Sequence, residues 1–245
     1  MRRLAVGAGA LGAPDAGAAG AAGAEEAADL AAFLGRLIRW DKAAVVRLRS
    51  AEGEAALGVF GHPPFGGVLA VKSLPLRAGG GDAAAVDATV SAGQLLEAVG
   101  AAAEGGSGEF VLPGSVTGPA WAGLLPPRGG WRRVAELDAA EVRGIAAGAV
   151  AEFRSRTEAL GEAGRTRAEL DALAEELWGR VVGPSGVTLR VVHAAHALGF
   201  LRGATPGAVV SVLGAGPWLR LRTEFGSVAM RTQSSAASGL SVSPA

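Results

Sequence analysis

Between Leu112 and Arg133 the chain reads LPGSVTGPAWAGLLPPRGGWRR, a stretch through which neither a helix nor a strand can propagate. Its prolines lack the backbone donor that both elements need, and its glycines leave the backbone unconstrained. Any fold of the 245 residues is therefore built as two halves joined by this connector. That division suits the length, because single cores stop growing at about 250–300 residues. The segments divide into a flexible Ala/Gly-rich extension at 1–24, an N-terminal α+β lobe at 25–112, the connector at 113–133, a C-terminal lobe at 134–232 and a disordered tail at 233–245.

Each half couples an amphipathic helix to an arginine-bearing hairpin, VRLRSAEGEAAL in the first and LRLRTEFGSVAM in the second. Aligning Val46 with Leu219 matches Arg47 to Arg220, Arg49 to Arg222, Gly53 to Gly226 and Ala56 to Ala229. Duplication and coincidence both account for this in a chain so rich in Ala, Gly and Arg. Leu30, Phe33, Leu34, Leu37 and Ile38 recur at helical spacing and predict a helix over 25–40. Residues 44–60 alternate as a hairpin with one apolar and one basic face, and 67–74 is its third strand. Gly79, Gly80 and Gly81 mark a flexible crossing, followed by a short strand at 86–90.

Ser91 with Gln94, Asp138 with Glu141, and Thr166 with Glu169 have capping-box spacing and predict three helix starts. The second and third of these helices form an antiparallel hairpin. VTLRVVHAAHALGFL, residues 187–201, is apolar nearly all round and suits a buried helix. A second meander follows at 209–213, 218–222 and 227–231. The fold class is thus α+β, with two small lobes, each of helices packed on antiparallel β-hairpins. With so much of the apolar fraction in alanine, the five tryptophans are the largest anchors available.

Composition excludes several function classes. Cysteine is absent, which removes disulfides, thiolate metal sites and cysteine nucleophiles. Formal net charge is zero, against a general polyanion binder that works by long-range attraction. Basic charge is almost all arginine, Lys42 and Lys72 being the only lysines, a usage that a GC-rich genome explains. No apolar run has the roughly 18–20 residues of a bilayer span, so a soluble, cytoplasmic protein without membrane partners is expected. Residues 1–23 superficially resemble an export signal, but glycines, Pro14 and Asp15 dilute the apolar part, so a flexible extension or a misassigned start fits better.

Arg47 and Arg49, like Arg220 and Arg222, project from one strand face and present forked donors to phosphate or carboxylate. Cross-strand pairing with Glu52, Glu54 and Glu224 is the competing account. In the connector, Arg128, Arg132 and Arg133 flank Trp131, a ring on which a base stacks while arginines meet its backbone. The alternative is a strap whose Trp121 and Trp131 plug the two cores. His193 and His196 share a helix face at metal-ligand or acid/base spacing, yet no carboxylate lies within a turn, and packed histidines account for them. The Gly7–Gly12 match to a dinucleotide fingerprint lacks the helix and second strand it requires. No serine-nucleophile motif occurs, and no cofactor is expected.

The expected function is a non-enzymatic binding or scaffolding role through a protein partner or a homo-oligomer. Nucleic-acid or nucleotide binding by the hairpin and connector arginines is the first alternative. A hydrolase or metal-dependent enzyme using His193 and His196 is the second.

Overall fold

The computed structural model describes residues 3–7, 16–52, 54–77, 85–106, 108–203 and 207–232. The glycine crossing at 79–81, the hairpin turn at Gly53, most of the Gly7–Gly12 match and the 233–245 tail lie outside the described residues. The first half comprises β1 (Arg3–Ala5), α1 (Ala16–Trp40), β2 (Val45–Ser50), β3 (Ala56–Gly61), β4 (Val68–Pro75), β5 (Val86–Ser91), α2 (Ala92–Glu104) and β6 (Glu109–Val111). The second comprises β7 (Arg132–Asp138), α3 (Ala139–Ala159), α4 (Gly161–Gly164), α5 (Arg167–Gly179), α6 (Leu189–Ala197), β8 (Val209–Ala215), β9 (Trp218–Arg222) and β10 (Ser227–Arg231).

The helix starts follow the caps. Ser91 Oγ accepts from the Gln94 amide at 3.4 Å, Asp138 Oδ1 from Glu141 at 2.9 Å and Thr166 Oγ1 from Glu169 at 3.3 Å, each satisfying a donor that the helix leaves unpaired. α3 and α5 form the expected hairpin, held by Arg156–Glu176 at 2.5 Å, Arg180–Glu152 at 2.7 Å and the Phe153–Trp178 ring contact at 5.5 Å. α6 buries Val191, Val192, Ala194 and Ala195, as its apolar sequence demands.

The chain is α+β, and its two halves share one sheet. Eight antiparallel strands run in the order β5-β2-β3-β4-β10-β9-β8-β7, with the halves meeting where Leu69 opposes Ala229 and Ala70 opposes Val228. One face buries Leu48, Leu57, Val59 and Leu74 from the first half with Val212, Leu221 and Val228 from the second, in a single cluster with residues of α1, α2, α3 and α6. Two contacts tie α1 to the second half. Phe33 stacks on Phe200 at 5.8 Å. Asp29 pairs with both Lys72 and Arg202, while Lys72 Nζ also donates to the Phe225 carbonyl at 3.0 Å.

Three expectations change. The extension at 1–24 is not flexible throughout, because β1 pairs with β6, Leu4 and Val6 are buried, and α1 starts at Ala16. Alanine, the best helix former, extends α1 backwards beyond its apolar stripe. The strand β7 carries no alternating apolar pattern, since most of its residues are exposed, and so gave no strand signal. The residue match between hairpins aligns β2 with β9, whereas the strand order on either side of the β4–β10 joint places β2 opposite β8, β3 opposite β9 and β4 opposite β10. The sequence match is one strand out of step with the architecture.

The five tryptophans are not the main core anchors either, because only Trp218 is buried while Phe33, Phe200 and the leucines fill the centre. No helix among the described residues is long and apolar enough to cross a membrane.

Candidate functional site: an arginine-lined cavity under the connector

Alternation along the strands sends Arg47 and Arg49 of β2 and Arg220 and Arg222 of β9 to the sheet face opposite the helices. The same face receives Phe60 of β3 and Val71 and Ser73 of β4, in register with those arginines. The connector crosses it for a topological reason. It leaves the β5 edge, where the Val116 amide donates to the Thr89 carbonyl at 2.8 Å, and enters β7 at the opposite edge. Seven strand spacings amount to about 34 Å, so a segment of many residues is required.

Along the way the connector is pinned by aromatic contacts. Trp121 stacks on His62 at 5.8 Å, and Trp121, Leu125 and Trp131 pack on a small cluster of Leu69, Trp218 and Ala229. The tryptophans thus cover the second face of the sheet and do not plug the helix-side core. The Trp131 indole donates to the Pro127 carbonyl at 2.9 Å, which folds residues 127–131 into a compact turn.

Beside that turn lies a cavity of about 390 Å³. Gly58, Phe60, Val71 and Ser73 form its floor, Pro126 and Pro127 one wall, and Arg49, Arg128 and Arg220 its charge. These arginines come from three distant segments of the chain. Glu54 is the one carboxylate among the lining residues, and it lies 3.5 Å from Arg128. Arg49 Nε forms a loose ion pair with Asp87 at 3.6 Å, too long for a hydrogen bond, and the Nε atom is buried with no hydrogen-bond partner. Arg220 donates from Nε to Ser227 Oγ at 2.8 Å, and its guanidinium lies 5.6 Å from the Trp131 ring centroid. No carboxylate pairs with Arg220 among the described residues. Burial, and then the charge of Arg222, pull its pKa below the ordinary arginine range. A half-buried cation short of counter-charge is stabilised by an anion that reaches it.

The other candidates divide. Arg47 is committed to Asp87 at 2.6 Å and Thr89 at 3.1 Å, the cross-strand pairing that competes with ligand binding. Arg222 is exposed next to Arg220, and Trp131 borders the cavity through its contact with Arg220. Arg132 and Arg133 lie outside the cavity, on β7, where Arg133 pairs with Glu136 at 2.5 Å. The connector cluster read from sequence is therefore split, with Arg128 and Trp131 on the strap beside the cavity and the other two on a strand edge. Phe60, Val71 and Ser73 escaped the sequence reading, although strand alternation in register with Arg47 and Arg49 places them on this face.

His193 sits between the Trp178 ring, stacked at 4.7 Å, and the edge-on Phe65 ring at 4.9 Å, beside a cavity of about 420 Å³ that also meets Glu175 and Arg190. Its Nδ1 is buried without a partner, and burial, with His196 nearby, lowers its pKa. His196 is exposed. Among the described residues no group of three His, Asp or Glu side chains is placed to hold a metal.

No curated protein matches the chain. One similar solved structure is the crystal structure of a DNA polymerase sliding clamp from Pseudomonas aeruginosa with ligand, at 12% identity and a TM-score of 0.43 over 84% of this chain. The match covers 62% of the clamp, under two thirds of its length. Residues 18–123 match the model of a domain of unknown function, DUF8010, and residues 126–235 match that of a second, DUF8185.

Proposed function

We propose that the chain is a non-enzymatic binding protein that takes a small anionic ligand, a phosphate- or carboxylate-bearing molecule of nucleotide size, in the cavity beneath the connector. The observation that carries this reading is the convergence of Arg49, Arg128 and Arg220 on a space whose lining holds one carboxylate. Its volume of about 390 Å³ suits a single small molecule, since ligand pockets run from about 300 to 1,000 Å³. The Phe60 ring and the two prolines offer a flat apolar surface for the ligand's body, while the guanidinium forks meet its oxyanion. A binding role is favoured over catalysis because the lining contains no histidine and Glu54 faces Arg128.

The test is calorimetric titration and thermal shift with inorganic phosphate, adenosine monophosphate and a single-stranded oligonucleotide. The nucleotide should raise apparent stability in a salt-sensitive way. Arg220→Ala or Arg49→Ala should weaken its binding about tenfold or more, the scale of one lost charge-assisted hydrogen bond. The paired change of Arg132 and Arg133 to Ala, outside the cavity, should leave it unchanged. No shift with any of the three, or equal losses in both sets of variants, would overturn the reading. An oligonucleotide that binds far more tightly than the mononucleotide would favour the nucleic-acid alternative.

A further inference from the structure

The two ends of the eight-stranded sheet are finished differently. On the β5 side the connector occupies the edge, through the Val116–Thr89 backbone bond and the Val90–Ser115 bridge. On the other side β7 pairs, among the described residues, with β8 alone, and most of its residues are exposed. An edge strand presents a row of backbone donors and acceptors to any matching strand.

Two further features surround this edge. Of the five large hydrophobic residues exposed among those described, Val134 lies on β7 at 51% exposure and Val209 opposes Asp138 at 55%. Val181, at 58%, lies two residues before the Gly183–Ser185 turn that packs beside β7. Apolar exposure is thus concentrated where the backbone is open. The charges along β7, RRVAELD, are also antisymmetric about its middle, with arginines at the start and Glu136 and Asp138 towards the end.

We infer that β7 is a homodimer interface, joined antiparallel to β7 of a second copy about a two-fold axis between Val134 and Ala135. This register sets Arg133 of each copy opposite Glu136 of the other. Both side chains lie on the face away from the helices, since Arg133 opposes Leu213 and Glu136 opposes Ser211, so they meet across the seam. Within each chain they already pair at 2.5 Å, and the dimer closes them into a four-charge ring. Isologous contacts require this kind of self-complementary patch. The register shift between Arg133 and Ala135 adds local twist and brings the two Val134 side chains to the centre of the seam. The inference is independent of the cavity on the sheet face.

Sedimentation equilibrium of the full chain over a concentration series tests it, with Arg133→Glu and Glu136→Arg as variants. Both side chains are exposed, at 65% and 47%, so each variant should fold and keep the parent's circular dichroism. The parent should dimerise. Each variant alone places like charges opposite one another twice and should raise the dimer Kd about tenfold or more. An equimolar mixture of the two variants restores opposite charges at every position and should form heterodimers. A parent that stays monomeric, single variants that dimerise like the parent, or a mixture that stays monomeric would each overturn the proposal.

Discussion

Replacing Asp29 with Ala tests whether the two halves are one cooperative body. Asp29 on α1 holds Lys72 of β4 and Arg202 of the second half, next to the strand pair that joins them. The Lys72 side chain is 6% exposed and that of Asp29 is 19% exposed. Removing one partner of such a buried pair costs about 3–5 kcal/mol, because the remaining charge is left in a poorly solvated site. Several residues soften the loss. Lys72 keeps the Phe225 carbonyl at 3.0 Å and the attraction of Glu26, while Arg202 is 38% exposed and keeps the Phe225 ring at 4.1 Å. These place the expected cost near the lower end, about 3 kcal/mol. The double change Asp29→Leu with Lys72→Met removes both charges and should stay within about 1.5 kcal/mol of the parent. Urea unfolding followed by tryptophan fluorescence at neutral pH reads both, and the continuous sheet predicts a single transition. A loss under about 1 kcal/mol for Asp29→Ala, or a double variant less stable than the single one, would refute the argument.

Two other perturbations have signs set by the packing. A Cβ on Gly226 would lie 2.6–2.8 Å from three atoms of the Phe200 ring, which is buried against Phe33, so Gly226→Ala should lower the urea-derived stability by about 1–3 kcal/mol. Gly144→Ala in α3, where nothing lies within 4 Å, should instead raise it by up to about 1 kcal/mol; equal effects at the two sites would refute the packing account. The depressed pKa of His193 means that the unfolded chain binds its proton first as pH falls. Its stabilising contribution is therefore full above the unfolded value, about pH 6.5, and is lost as pH drops from there towards the lower folded value. His193→Phe, which keeps an aromatic ring between Trp178 and Phe65, should lose less Tm than the parent between about pH 7.5 and 5.5; an identical loss would place the pH sensitivity elsewhere.

The candidate site was legible in part. Arg49, Arg128 and Arg220 are recognisable from strand alternation and from their place beside the connector's Pro, Gly and Trp residues. That these three share a cavity while Arg132 and Arg133 do not depends on where the connector crosses the sheet. Phe60 and Ser73 read as ordinary strand positions until their register with the arginines is known.

Local chemistry in the sequence determined the helix starts at Ser91, Asp138 and Thr166, the apolar stripe of α1, the two meanders and the α+β class, because caps and side-chain periodicity act over a few residues. The tertiary structure alone decided that β4 and β10 join, that eight strands from both halves form one sheet over one main core, and that Trp121 and Trp131 cover the second face. It also decided that β7 exists, since an exposed edge strand has no need of an apolar alternation. Those outcomes depend on backbone edges and surfaces far apart in sequence, and the free energy of bringing them together leaves no short-range pattern in the residues themselves.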